Sequence, residues 1–157
     1  MVFGSDLEMN IFVPQSTQAY IELAEIADVK RQIISPGTSN PIIGAVQDGV
    51  LGSYNLTNPN MRINWKDAMN IVSYTSIDAF EDIKKNDDYK GSDLFSLIIP
   101  QKINTNSVKQ GKITKGPIGK DHLKADKANS LIHLIWDEYG VEETKSFLDK
   151  ECGHFPT

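Results

Sequence analysis

Apolar residues fall at helical spacing in several stretches of this sequence. Trp65, Ala68, Met69 and Val72 repeat at three, four and seven positions, the pattern of one buried helix face. Ile77, Phe80 and Ile83 continue an apolar face after a break near Thr75 and Ser76. Ile132, Ile135, Trp136 and Tyr139 define a second strong stripe, which Gly140 ends before another helix starts at Val141. In that last helix Glu142 and Glu143 in the first turn and Lys150 in the last suit the helix dipole. Ser16 stands as an N-cap ahead of Tyr20, Leu23, Ala24 and Ala27, which predicts a helix over about 17–27.

Other stretches are less regular. Ile43, Val46, Val50 and Tyr54 also have helical spacing, yet Gly49 and Gly52 would each cost that helix up to ~1 kcal/mol relative to alanine. Close approach of another backbone would compensate, so this helix is expected to be buried against a partner element or chain. Asn10–Pro14 reads as a strand leading out of a loop, and Arg31–Ser35 as a second strand before the turn signals Pro36-Gly37 and Asn40-Pro41. Ser92 can cap a short helix through Leu94, Phe95 and Ile98 that Pro100 ends. Ile103 and Thr105 alternate with polar neighbours and Gln110-Gly111 offers a turn before Ile113, which predicts a small hairpin. The following stretch, 116–127, reads as a mobile loop.

Composition narrows the function classes. With 39% hydrophobic and 24% charged residues the chain lies well outside the regime of disorder. Cys152 is the single cysteine, so no internal disulfide can form, and with only His154 beside it there is no zinc-ligand set. An intracellular, reducing compartment fits; nucleus, host cytoplasm and virion are not distinguished. The longest apolar stretch, around Leu94–Ile99, is too short to span a bilayer, so no membrane role is expected. A net charge of −5 argues against a free-standing nucleic-acid binder. The charge is uneven, however: residues 101–127 hold seven lysines against Asp121 and Asp126, a surplus of +5 that leaves −10 for the rest. A solvated surface is the ordinary explanation of such a run, and a phosphate-facing wall is the functional one.

Four words carry the identification: EMNIFVPQS (Glu8–Ser16), IISP (Ile33–Pro36), NPIIGAVQDG (Asn40–Gly49) and LT (Leu56, Thr57). In this order and spacing the chain resembles the largest subunit of multisubunit DNA-directed RNA polymerases, in the form carried by large DNA viruses and eukaryotes. The family-motif positions are Glu8, Met9, Asn10, Pro14, Gln15, Ser16, Gln47 and Asp48. Looser similarity continues through Asn64–Thr75, Leu94–Asn104, Val108–Gly116 and Asn129–Gly140. The resemblance implies an α+β fold: terminal strands of a double-psi β-barrel in an active-site domain over 1–42, then a mixed helical and small-β pore domain over 43–157, truncated at its C-terminus. It also implies partners, namely the other polymerase subunits or the remaining parts of the largest subunit, with template DNA and RNA in the complete enzyme.

In that family a loop reading Asp-Phe-Asp-Gly-Asp precedes Glu-Met-Asn, and its three carboxylates hold Mg2+ for nucleotidyl transfer. Here the aspartate positions are occupied by Phe3, Ser5 and Leu7, or, with Leu7 taken as an insertion, by Val2, Gly4 and Asp6. Asp6 is thus the single remaining metal candidate, no catalytic set is intact, and this chain alone is expected to bind no magnesium and to be inactive. Phe12 replaces a family histidine. Both ends depart from the family pattern, as in a fragment bounded by an intron, intein, frameshift or split gene, or in a deliberately cut piece. The alternative is a non-catalytic remnant or interaction module derived from that subunit. Gln47 and Asp48 are expected to satisfy backbone donors at a helix start, His122 with Asp121 to be a loop pair, and His133 to be a packed or rim histidine.

Overall fold

A computed structural model describes residues 11–73, 75, 83–85 and 87–153. The helices are α1 (Thr17–Glu25), α2 (Asp48–Leu56), α3 (Trp65–Ser73), α4 (Gly91–Ser96), α5 (Lys120–Leu123), α6 (Leu131–Tyr139) and α7 (Val141–Gly153). The strands are β1 (Arg62–Asn64), β2 (Asp88–Lys90), β3 (Val108–Lys109) and β4 (Lys112–Ile113). β1 pairs antiparallel with β2, Ile63 opposite Tyr89, and β3 with β4, Val108 opposite Ile113. The fold is therefore α+β, and among the described residues its sheets are two separate pairs.

One apolar cluster joins the elements from Ile33 onward. Phe95 from α4, Val72 and Ala68 from α3, Leu131, Ile132 and Ile135 from α6 and Phe147 from α7 are buried together with Ile118 and Leu123. The stripes read from the sequence supply Ala68, Val72, Leu94, Phe95, Ile98, Ile132 and Ile135 of this core, presenting an apolar side at the 3.6-residue period. α6 and α7 follow the expectation closely: Ser130 Oγ accepts the His133 N–H at 3.3 Å, and Gly140, at φ +80°, ends α6 immediately before α7. The hairpin turn forms at Gln110 and Gly111, both at positive φ, but its first strand is Val108–Lys109 and not the expected Ile103–Thr105.

Several expectations need correction. Among the described residues Ile11–Pro14 joins no ladder, and Ile11 is 82% exposed. Arg31–Ser35 is not a strand: Val29–Gln32 is a turn of 3-10 helix whose first N–H groups include that of Lys30, held by Asp28 Oδ1 at 3.2 Å. Only an isolated Ile34–Pro41 bridge remains of the expected pairing. α2 starts at Asp48, not near Ile43, since Gln47 adopts φ +41°, ψ −105° and breaks the helical path. α4 begins at Gly91, so Ser92 lies inside it and is not its cap. The stretch 116–127 is not a free loop, for Ile118 and Leu123 are buried and α5 forms between them. Ile77 and Phe80 lie outside the described residues, whereas Ile83 packs against the core.

The N-terminal part differs in kind from the body. α1 is capped as expected, Ser16 Oγ accepting the Ala19 N–H at 3.2 Å, yet it has no buried residue. Tyr20, Ile21 and Leu23 are all exposed. Its neighbouring 3-10 turn is tied to α7 by Lys30 Nζ and Glu142 Oε1 at 2.8 Å.

Candidate functional site

The basic stretch meets the body along residues 117–123, and backbone hydrogen bonds decide how. Ile118 N–H donates to Thr57 Oγ1 at 2.7 Å, while the Leu123 carbonyl accepts the Ala45 N–H at 3.0 Å. Gly44 lets these backbones meet, since a Cβ there would overlap the Ala125 amide nitrogen and the Leu123 carbonyl. Between the two anchors the chain turns outward and presents Lys120 to solvent.

A cleft of about 490 Å3 lies between this segment and α2. Val50, Leu51 and Tyr54 line it from α2 and Pro117 from the facing segment, with Gln47, Lys120 and His122 also contributing. Leu51 and Tyr54 are exposed although apolar, so the cleft has an open hydrophobic floor. Asp121 is engaged by Lys127 at 3.2 Å, and Lys120 has no ion-pair partner among the described residues. The arrangement can therefore receive a group with an apolar or planar body and an anionic end. The other lysines of the stretch, Lys102, Lys109, Lys112, Lys115 and Lys124, are likewise exposed, with Lys102 over the Tyr139 ring at 5.6 Å.

His122 is better explained as a clip than as a base. Its Nδ1 accepts the Gly119 N–H at 3.4 Å, so the ring proton sits on Nε2 and is donated to Ser107 Oγ at 3.2 Å. A serine thus does lie beside this histidine, a proximity invisible in the sequence because fifteen residues separate the two. The tautomer is the wrong one for taking a proton from that serine. His133 is the rim histidine expected, its Nδ1 accepting the Asn129 N–H at 3.2 Å.

The family-motif positions divide. Pro14, Gln15 and Ser16 precede or cap α1; Gln15 Nε2 donates to the Val13 carbonyl at 3.3 Å. Gln47 and Asp48 open α2, but Gln47 makes no side-chain cap bond, contrary to expectation; it borders the cleft instead. No hydrogen bond or ion pair among the described residues joins the two groups. Asp6, Glu8, Met9 and Asn10 lie outside the described residues, as do His154 and the side chain of Cys152. Among the described residues no group of three or more His, Cys, Asp or Glu side chains could hold a metal ion. The described residues therefore do not fit a magnesium centre.

The fold and cleft define an α+β module with one basic edge and no metal-ligand cluster among its described residues. The family model for RNA polymerase Rpb1, domain 3, matches residues 32–151. The chain is 40% identical over 152 residues to DNA-directed RNA polymerase subunit 1 of Acanthamoeba polyphaga mimivirus, covering 90% of this chain and 10% of that protein. It is 30% identical over 162 residues to DNA-directed RNA polymerase II subunit RPB1-B of Trypanosoma brucei brucei, covering 90% and 9%. With subunit Rpo1N of Halobacterium salinarum it shares 27% over 157 residues, covering 91% and 16%. This chain belongs to the Rpb1 domain 3 family of RNA polymerase largest subunits. It spans about a tenth of the length of the mimivirus and trypanosome relatives.

Proposed function

We propose that the chain serves as part of a DNA-directed RNA polymerase, contributing scaffold and pore wall beside an active site whose metal ligands lie on other polypeptide. The observation that carries this reading is collinearity: 90% of the chain matches one continuous tenth of the mimivirus subunit, with the family domain starting at residue 32. In this reading residues 1–42 are the end of the active-site domain, including terminal strands of a double-psi barrel, and residues 43–157 are pore domain. The apolar Ile11–Pro14 stretch, which pairs with no strand among the described residues, is the segment this reading assigns to the barrel. Magnesium in the complete enzyme would stabilise charge on the transferring phosphoryl group. This chain's described residues supply the wall and its lysines, not the ion. The partners are the other polymerase subunits and the rest of the largest subunit, with template DNA and RNA in the assembly. Affinity-tagged chain expressed in its source cells is expected to co-purify with the other large subunits. Recovery of the chain alone, as a monomer or aggregate, would refute the reading.

A further inference from the structure

We infer that Thr57 is a positioning residue for Lys120, the lysine on the cleft rim without an ion pair among the described residues, setting the height above α2 at which its side chain leaves the backbone and so preparing it for a phosphate group; this rests on the pore-wall reading above. Thr57 is 1% exposed and uses its hydroxyl twice. Oγ1 donates to the Ser53 carbonyl at 2.6 Å and accepts the Ile118 N–H at 2.7 Å, across 61 residues of sequence. A hydroxyl has one proton to give, so the bond to Ser53 orients the lone pair that receives Ile118.

Lys120 lies two positions beyond that anchor, after Gly119. The second anchor, Ala45 N–H to the Leu123 carbonyl, lies three residues beyond, and Ser107 holds His122 between them. Tyr54, in the last turn of α2, which Thr57 caps, closes the geometry: a Cβ at Gly119 would stand 3.3 Å from its ring. Lys120 has no ion pair among the described residues, so the backbone anchors set the point on the rim from which its side chain leaves. Among these anchors Thr57 is the side chain that α2, the floor of the cleft, extends to the rim.

The test uses the full 157-residue chain, isotope-labelled for NMR, with inorganic tripolyphosphate as the probe. In the unaltered chain the Ile118 amide is expected to exchange at least tenfold more slowly than that of exposed Gly116, and tripolyphosphate to shift the Lys120 ammonium resonance. Thr57→Val should speed Ile118 exchange at least tenfold, leave the α6 amides unchanged and abolish the Lys120 response; Thr57→Ser should restore both. Equal exchange at Ile118 and Gly116 in the unaltered chain overturns the proposal without any variant. Uniform loss of protection throughout Thr57→Val, or no change at Ile118, also overturns it. If tripolyphosphate never shifts Lys120 while Thr57→Val still frees Ile118 alone, the phosphate-facing wall is refuted and the positioning role stands. Should Thr57→Val fail to fold, the unaltered chain and Thr57→Ser decide, the latter being required to keep Ile118 protected.

Discussion

Gly91 sits against the carbonyl of Leu56 so closely that a side chain there would overlap it. A Cβ built at this position meets the Leu56 oxygen, with the Leu56 side chain 2.9 Å away, so the start of α4 and the end of α2 touch backbone to backbone. Gly91→Ala must therefore part the two helices. Overpacking of this kind costs about 1–3 kcal/mol, and urea denaturation should show the midpoint fall by a corresponding amount.

Gly49 predicts the opposite sign. A Cβ there would lie 3.5 Å from Glu151 Oε1 and 3.7 Å from the Ala45 methyl group, both ordinary contacts. Alanine is the better helix former, so Gly49→Ala should stabilise the chain, by up to about 1 kcal/mol. The same denaturation experiment checks it, and a loss of stability would show that α7 cannot yield at Glu151.

These two glycines show what the sequence could and could not reveal. Reading Gly49 as a cost to α2 pointed to close approach of another backbone, but a side chain there would meet the Glu151 carboxylate of α7 and the Ala45 methyl group at ordinary contact distance, and no backbone. The backbone contacts are at Gly44 and Gly91, whose partners are about eighty and thirty-five residues away along the chain. Periodicity is local information, so α3, α6 and α7 were legible from it. The fixing of 117–123 was not, because Ile118 depends on a hydroxyl far upstream. Likewise Gln47 was singled out as a motif residue, while its cleft exists only once the lysine-rich segment folds back over α2. The expected strand at Arg31–Ser35 failed for a related reason, and Ile11–Pro14 pairs with no strand among the described residues: strand propensity is realised only beside a partner edge.

Ser53 and Glu151 yield a prediction about burial. Both are buried, and the serine Oγ lies 3.1 Å from Oε1 of the glutamate. Ser53→Ala would remove one hydrogen bond from a buried carboxyl group, which costs about 1–3 kcal/mol. Ser53→Thr, keeping the hydroxyl, should cost less than alanine if the bond and not the side-chain volume is what matters; calorimetry of both variants separates the two.

The Lys30–Glu142 tether should respond to pH at both extremes. The hydrogen bond from Lys30, followed by its charge, holds the Glu142 carboxyl below the usual carboxylate range, and the same bond and charge from Glu142 raise Lys30. A depressed carboxyl pKa contributes stability above the unfolded value, lost as pH falls through the folded one. A raised lysine contributes below its unfolded value, lost as pH rises through the folded one. The link should thus persist through neutrality and release only once pH falls below the ordinary carboxylate range or rises above the ordinary lysine range. NMR titration of the Glu142 carboxyl carbon should give a lower pKa than in Lys30→Met, and because the pair is exposed, overall stability should barely change.

Removal of α1 is expected to leave the body nearly untouched. The helix has nine residues and buries none of them, and an isolated helix of that length is marginal in water. Its exposed Tyr20, Ile21 and Leu23 gain nothing from the core described here, which begins at Ile33. A chain starting at Asp28 should therefore unfold within a few degrees of the full chain while keeping the Lys30–Glu142 tether. In the intact chain, amide exchange in α1 should be fast beside that of α6. The same amides should become protected when the chain is bound by polymerase subunits, if that apolar face is the surface they cover. Strong protection of α1 in the isolated chain would instead mean that the helix is stabilised without them.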